Sequence, residues 1–176
     1  MSKPPRTFSI VESALVSGVI NVLINGVLGW FALPDGKTLP LWGVPSSSAD
    51  MVAMGFGIAF GTAIGVTPLT RREHRLGRLV PPALSPRMER VLADWPRALF
   101  RRSVLVGVIG LVLFAPPIVF ALWVLGVDQV DRMTFVQIKA GWAFVEGALV
   151  APPIAVAALL DAQADARAEP TRRAAA

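Results

Sequence analysis

Residues 103–127 read SVLVGVIGLVLFAPPIVFALWVLGV, a run without a single charged side chain. A transmembrane helix needs about 20 mostly apolar residues to cross roughly 30 Å of hydrocarbon. Three further runs are similarly long and apolar, and they cover residues 9–33, 51–69 and 133–160. Because a backbone in lipid must satisfy its own hydrogen bonds, each run is expected to be a helix. The sequence therefore predicts an all-α, integral membrane four-helix bundle.

The composition agrees with that class and argues against several others. Apolar residues make up 54% of the 176-residue chain and charged residues 16%, against roughly 25% charged in an average soluble domain. Cysteine is absent, and no dinucleotide-binding, P-loop, hydrolase or metalloprotease motif occurs. We therefore expect no enzyme activity, no catalytic residue, no cofactor and no metal site.

The charged residues between the spans predict the orientation. The loop 70–102 contains nine Arg and three acidic residues, whereas the loops 34–50 and 128–132 each carry a net charge of −1. Lys and Arg accumulate on the cytoplasmic side, so this basic loop and both tails, 1–8 and 161–176, are expected there. The bias toward Ala, Arg, Gly, Val and Pro is typical of a GC-rich bacterium, which suggests its inner membrane. This topology accounts for the net charge of +5, so nucleic acid is not expected as a partner.

The first and third spans resemble each other, as do the second and the fourth. Gly-Val-Ile at 18–20 recurs at 107–109, an offset of 89, and an offset of 84 places Gly57 opposite Gly141. Each copy contains two spans, so both copies have the same orientation. The pattern predicts two tandem parallel-repeat helical hairpins, an arrangement found in some transporters. Chance similarity between Gly- and Ala-rich apolar helices is the alternative.

Small residues indicate how the helices associate. Gly57, Gly61 and Gly65 form two overlapping GxxxG steps on one face of the second span, and Gly18 offers a weaker counterpart on the first. Helices associate in lipid through the close backbone approach that such residues allow. We expect these glycines to pack helices within the bundle, with a homodimer face as the alternative.

The basic loop is expected to bind membrane lipids at the cytoplasmic face. Its segment 86–101 has apolar residues at helical spacing and includes Trp95, which predicts an amphipathic helix lying on the membrane surface. Docking of a protein partner is the alternative. The arginines placed to contact anionic lipid headgroups are Arg71, Arg72, Arg75 and Arg78.

Polar side chains inside the spans mark the candidate site. Glu146 lies near the centre of the fourth span, and Lys139 precedes it by seven residues on the same helix face. Ser17, Asn21 and Asn25 form a stripe on the first span at four-residue spacing. Ionisable groups at membrane depth are costly, so they are functional hypotheses by default.

We hypothesise a polar seam between the first and fourth spans, in which Asn21 is hydrogen-bonded to Glu146. Such a seam would form a path for a small polar solute or an ion. Two structural alternatives remain. In the first, the polar groups only hold the helices together through hydrogen bonds. In the second, Lys139 extends outward to the membrane interface.

These features favour a small permease-like transporter or channel subunit. Four spans enclose little space, so a homo-oligomer is expected, with a path either within one protomer or between two. A non-catalytic membrane scaffold or accessory subunit that docks partner membrane proteins is the alternative.

Overall fold

Four long helices and one short helix make up most of the chain. The computed structural model describes residues 5–174, with side chains described for residues 5–168. Each long helix contains a segment of mean hydropathy between 1.6 and 2.6, so all four are long and apolar enough to cross a membrane. This confirms the prediction of an all-helical chain with four membrane-length helices. The helices are α1 (Ile10–Ala32), α2 (Ser47–Arg75), α3 (Pro86–Ala93), α4 (Leu99–Val124) and α5 (Arg132–Ala174).

Serine residues begin three of these helices. The hydroxyls of Ser9, Ser46 and Ser85 accept hydrogen bonds from the backbone N–H groups three residues later, at the starts of α1, α2 and α3. Each hydroxyl satisfies one of the backbone donors that a first helical turn leaves unpaired. Gly77 and Gly126 follow the ends of α2 and α4 with φ of +68°, a conformation that glycine adopts without strain.

Two short pairs of strands lie at opposite ends of the bundle. At the end that carries the arginine-rich loop, here called the basic end, β1 (Arg6–Thr7) pairs in parallel with β3 (Leu79–Val80). At the other end, called the distal end, β2 (Thr38–Pro40) pairs antiparallel with β4 (Gln129–Asp131). The predicted N-terminal tail and the three predicted loops between the spans therefore contain paired strands.

Helix α5 is the central helix of the bundle. It packs along α1 on one side and along α2 on the other, and α2 in turn packs along α4. In its apolar segment 67% of the residues are buried, against 22–33% in the other three long helices. The helices that are consecutive in the chain, α1 with α2 and α4 with α5, make few contacts with each other. The two helices of each predicted hairpin therefore do not pack closely on each other, and the tandem repeat stays a prediction.

The side chains of helix α1 are distributed as expected for a helix that faces lipid. Its buried residues are all small or polar, while its large apolar side chains, such as Leu23 and Phe31, are exposed. In water such an exposed apolar surface would be unfavourable, whereas lipid tails accommodate it and small interfacial residues let helices approach closely. The buried residues of α1 are Ser17, Gly18, Asn21, Asn25 and Gly29.

Close helix contacts recur between the two halves of the chain. The positions involved in α1 and α4 are 89 residues apart, as in the sequence comparison. The positions in α2 and α5 are 88 residues apart, one helical turn away from the offset of 84 derived from the sequence. Gly18 of α1 contacts Phe144 of α5, and the equivalent contact in the other half is Gly107 of α4 with Phe56 of α2. Asn21 of α1 contacts Gly147 of α5, and the equivalent contact is Gly110 of α4 with Ala59 of α2.

The glycines expected to pack helices divide into two groups. Gly18 does so, because a Cβ built there would stand 2.7 Å from the Phe144 ring. Gly57, Gly61 and Gly65 do not, because a Cβ on any of them meets no atom within 4 Å. Contrary to the expectation that this stripe packs within the bundle, its GxxxG face meets no other helix among the described residues.

The helix predicted over residues 86–101 is divided into two. Helix α3 ends at Ala93, and α4 begins at Leu99 as part of the third long helix. Pro96 lies between them, and proline has no N–H to continue a helix. Leu92 of α3 is buried against Val156 and Ala157 of α5, so α3 packs on the bundle through that side chain.

The segment expected to be a tail from residue 161 continues α5 as helix. Asp161 is buried there, so the bundle extends beyond the predicted end of the fourth span. Residues 1–4 and 175–176 of the two predicted tails lie outside the described residues.

Candidate functional site

A groove between α1 and α2 collects four of the five predicted path residues. Its cavity volume is about 690 Å³, and Ser17, Asn21, Asn25 and Lys139 all line it. The opposite wall includes the glycine stripe of α2, which has no side chains to fill the space. Helices α1 and α2 make almost no contact with each other, and both pack against α5. The groove therefore lies between α1 and α2.

The amide side chains of the groove have unused hydrogen-bond acceptors. The Asn21 amide nitrogen donates to the Ser17 carbonyl oxygen at 3.0 Å, and the Asn25 amide nitrogen donates to the Asn21 carbonyl oxygen at 3.1 Å. Neither amide oxygen accepts a hydrogen bond from any described residue, although the two residues are only 8% and 6% exposed. The groove thus offers acceptors for a polar molecule in otherwise apolar surroundings.

Lys139 closes the distal part of the groove. Its ammonium group forms an ion pair with Asp50 at the start of α2, and the ring centroid of Phe135 lies 5.6 Å from its nitrogen. The Lys139 side chain is buried, its methylene groups lie against Gly29 of α1, and its ammonium group reaches toward the distal end, where it meets Asp50. A buried charge of this kind is tolerated because its partner compensates it.

Glu146 lies on a different side of α5 from the groove floor. Its carboxyl is fully buried and approaches the backbone of Ala59 in α2, and a Cβ built at Gly110 of α4 would stand 3.1 Å from its Oε1 atom. The hypothesised hydrogen bond from Asn21 is absent: Asn21 packs against Gly147, the next residue of α5. One residue turns a helix by about 100°, which directs Glu146 toward α2 and α4 instead of α1.

The Glu146 carboxyl has no compensating partner among the described residues. Neither of its oxygens forms a hydrogen bond. Apolar clusters lie on both sides of it along α5, one containing Ala143 and Met54 and the other containing Val150 and Val106. An isolated ionised carboxylate is very costly in such an environment, so a negative charge there requires a compensating proton or cation.

A second polar cluster, which the sequence analysis missed, lies at the basic end. Asp161 of α5 accepts hydrogen bonds from Arg71 and Arg102, each at 2.6 Å. The sequence places Asp161 in the predicted tail 161–176 and predicts lipid contact for Arg71. One signal was present in the sequence: Asp161 follows Ile154 of the apolar run 133–160 by seven residues, which places both on the same helix face.

The other predicted lipid-contact residues lie around this cluster. Arg72, Arg75 and Arg78 are exposed, and Arg78 has a loose ion pair with Glu73 at 3.6 Å. Trp95 is half-buried against the apolar residues where α3 meets α5.

The chain thus combines an open groove with free polar acceptors and a separate, enclosed carboxyl. The first suits binding of a small polar molecule, and the second suits a proton or a cation. No family model, curated protein or solved structure matches the chain in comparisons with known proteins. Function is therefore inferred from these groups alone.

Proposed function

We propose that this protein is a permease-like transporter or channel subunit whose polar path is the groove between α1 and α2. The observation that carries the proposal is the convergence of Ser17, Asn21, Asn25 and Lys139 on one cavity in four membrane-length helices. A volume of about 690 Å³ accommodates small solutes, since ligand cavities span roughly 300–1,000 Å³.

Unpaired acceptors at membrane depth favour a polar occupant over lipid tails. The amide oxygens of Asn21 and Asn25 gain nothing from hydrocarbon, whereas water, a solute hydroxyl or a cation would pair with them. The ion pair of Lys139 with Asp50 at the distal part of the groove would act on charged solutes that enter from that end. Glu146 provides a separate position for a coupling proton or cation.

A second copy of the chain is proposed to complete the path. One rim of the groove is the stripe Gly57, Gly61 and Gly65, which is exposed and has no partner among the described residues. Such a GxxxG face allows close approach of another transmembrane helix. A homo-oligomer joined at this rim would separate the polar floor from lipid.

The tandem repeat and the membrane orientation are part of the same proposal. The recurring contacts at offsets of 89 and 88 support two structurally related halves, and such symmetry is common in transporters. The arginine excess of the loop 70–102 supports a cytoplasmic basic end in a bacterial inner membrane, and anionic lipids are its proposed partners.

Reconstitution of the full chain into liposomes tests the proposal. Entry of urea and glycerol is followed by stopped-flow light scattering, and entry of K⁺ and protons by internal fluorescent dyes. Asn25→Val should reduce the flux of the transported probe about tenfold, because a lost hydrogen bond of about 1–1.5 kcal/mol changes a rate by roughly that factor. Leu23→Val, on the exposed face of α1, is the matched control and should leave the flux unchanged.

A scaffold function is the second candidate, and the empty glycine stripe specifically favours it. A partner membrane protein could insert a helix into the groove, with Gly57, Gly61 and Gly65 as the contact face. In that case no probe would cross the liposome membrane faster than in empty vesicles. Gly61→Leu would then abolish partner association, whereas Glu146→Gln would leave it intact.

A further inference from the structure

A buried excess of positive charge lies at the basic end of the bundle. Three arginines surround the single carboxylate of Asp161: Arg71 and Arg102 at 2.6 Å, and Arg97 at 3.8 Å. Arg102 is fully buried and Arg71 is 27% exposed, so two of these positive charges have little access to water. Charges removed from water need compensation, and one carboxylate does not balance the guanidinium groups of both Arg71 and Arg102. Arg97 is 63% exposed and also lies 3.8 Å from Asp165.

Some of the donor groups in this cluster have no acceptor. The Nε of Arg71 and one terminal nitrogen of Arg102 are buried without a hydrogen-bond partner among the described residues. The hydroxyl of Thr67, one turn before Arg71 on α2, is also buried and unpaired. Buried polar groups in proteins are normally satisfied, so these donors indicate missing acceptors. Two of the three residues, Thr67 and Arg71, line a common cavity.

A cavity adjoins the cluster. Its volume is about 390 Å³, and Thr67, Arg71 and Arg75 line it at successive turns of one face of α2. Pro68 and Leu99 supply apolar wall, and Asp165 contributes a carboxylate at its edge. Asp165 is 75% exposed and lies 3.8 Å from Arg97, so its charge is directed to solvent and to another arginine.

We propose that this cavity binds the phosphate of an anionic lipid headgroup. The Arg71 and Arg75 guanidinium groups donate to the phosphate oxygens, and guanidinium groups bind phosphate well because their fixed fork of N–H donors matches its geometry. Lipid is favoured over free phosphate because the cavity joins apolar wall to arginine at the end of a membrane-length helix. The site is separate from the groove, and it rests on the part of the proposed function that places anionic lipids at the basic end.

Lipid binding to the purified full chain tests this site. The protein is held in a neutral maltoside detergent, and its melting temperature is followed while phosphatidylglycerol, phosphatidylcholine or inorganic phosphate is added. Phosphatidylglycerol should raise the melting temperature in a saturable way, and the other two should not. Arg75→Gln should weaken the apparent affinity for phosphatidylglycerol about fivefold, which is the effect expected of one basic residue near an anionic headgroup.

Arg167→Gln is the matched control, because Arg167 is an exposed arginine of α5 near the same end of the bundle and does not line the cavity. It should leave the affinity within about twofold of the original. Equal losses from Arg167→Gln and Arg75→Gln would show general surface attraction and overturn the site. Equal stabilisation by inorganic phosphate would overturn the lipid assignment, and a missing phosphatidylglycerol effect would overturn the proposal as a whole.

Discussion

Replacing Gly110 by Ala adds one methyl group where α4 crosses α2. The new Cβ would lie within 3.0 Å of two atoms of α2, the Cβ of Ala59 and the backbone carbonyl oxygen of Gly55, and 3.1 Å from Oε1 of Glu146. Neither α2 atom belongs to a flexible side chain, so neither can rotate away. Restoring ordinary contact at about 3.5–4.0 Å moves the two helices apart by about 1 Å.

That displacement sets the size of the expected effect. Overpacking a well-packed interface typically costs about 1–3 kcal/mol, and a shift of two backbones belongs in the upper part of that range. We therefore expect Gly110→Ala to lower the free energy of unfolding by about 2–3 kcal/mol. Gly61→Ala is the matched control, because its Cβ meets nothing within 4 Å. Because alanine has a higher helix propensity than glycine, Gly61→Ala should leave the free energy of unfolding unchanged or raise it by up to about 1 kcal/mol.

The difference is measured by unfolding both variants in mixed micelles. The fraction of denaturing detergent is raised, and the loss of helix is monitored by circular dichroism. The free energy of unfolding should fall for Gly110→Ala and not for Gly61→Ala. The opposite order would mean that the glycine stripe of α2 packs within the bundle and that α2 does not cross α4 at Gly110. That result would refute the helix pairing described above.

Two further substitutions test other parts of the structure. Asp161→Ala should lower the free energy of unfolding by about 3–5 kcal/mol, because it leaves Arg71 and Arg102 without their shared carboxylate. The control Asp165→Ala should lower it by less than about 0.5 kcal/mol. Equal losses of stability for the two variants in thermal melts would contradict the buried cluster. Asp131 lies just before α5, where hydrogen bonds from the side-chain hydroxyl and backbone N–H of Thr134 hold the pKa of its carboxyl below the ordinary value of 3.8. Its stabilising contribution should therefore be complete above pH 3.8 and be lost as the pH falls through the lowered pKa. The melting-temperature difference between the original protein and Asp131→Asn should disappear over that acidic range, and a constant difference would disprove the assignment.

The class of the protein follows from local sequence. Hydropathy is a property of consecutive residues, so four uncharged or nearly uncharged runs were sufficient to predict four membrane-length helices. The polar stripe of Ser17, Asn21 and Asn25 was also predictable, because helical periodicity alone places these residues on one face. The helix ends were less accurate, since α2 and α5 continue past the apolar runs into polar residues such as Arg75 and Asp161.

The arrangement of those helices was decided only by tertiary structure. A GxxxG pattern permits close approach but does not select a partner, so Gly57, Gly61 and Gly65 were expected to pack and instead leave a groove open. Glu146 and Gly147 are adjacent in sequence, yet they face different helices because one residue turns the backbone by about 100°. The sequence by itself determined that polar residues lie within the long apolar runs. Which of them share a cavity depended on the packing of α5 between α1 and α2, which brings together residues more than a hundred positions apart.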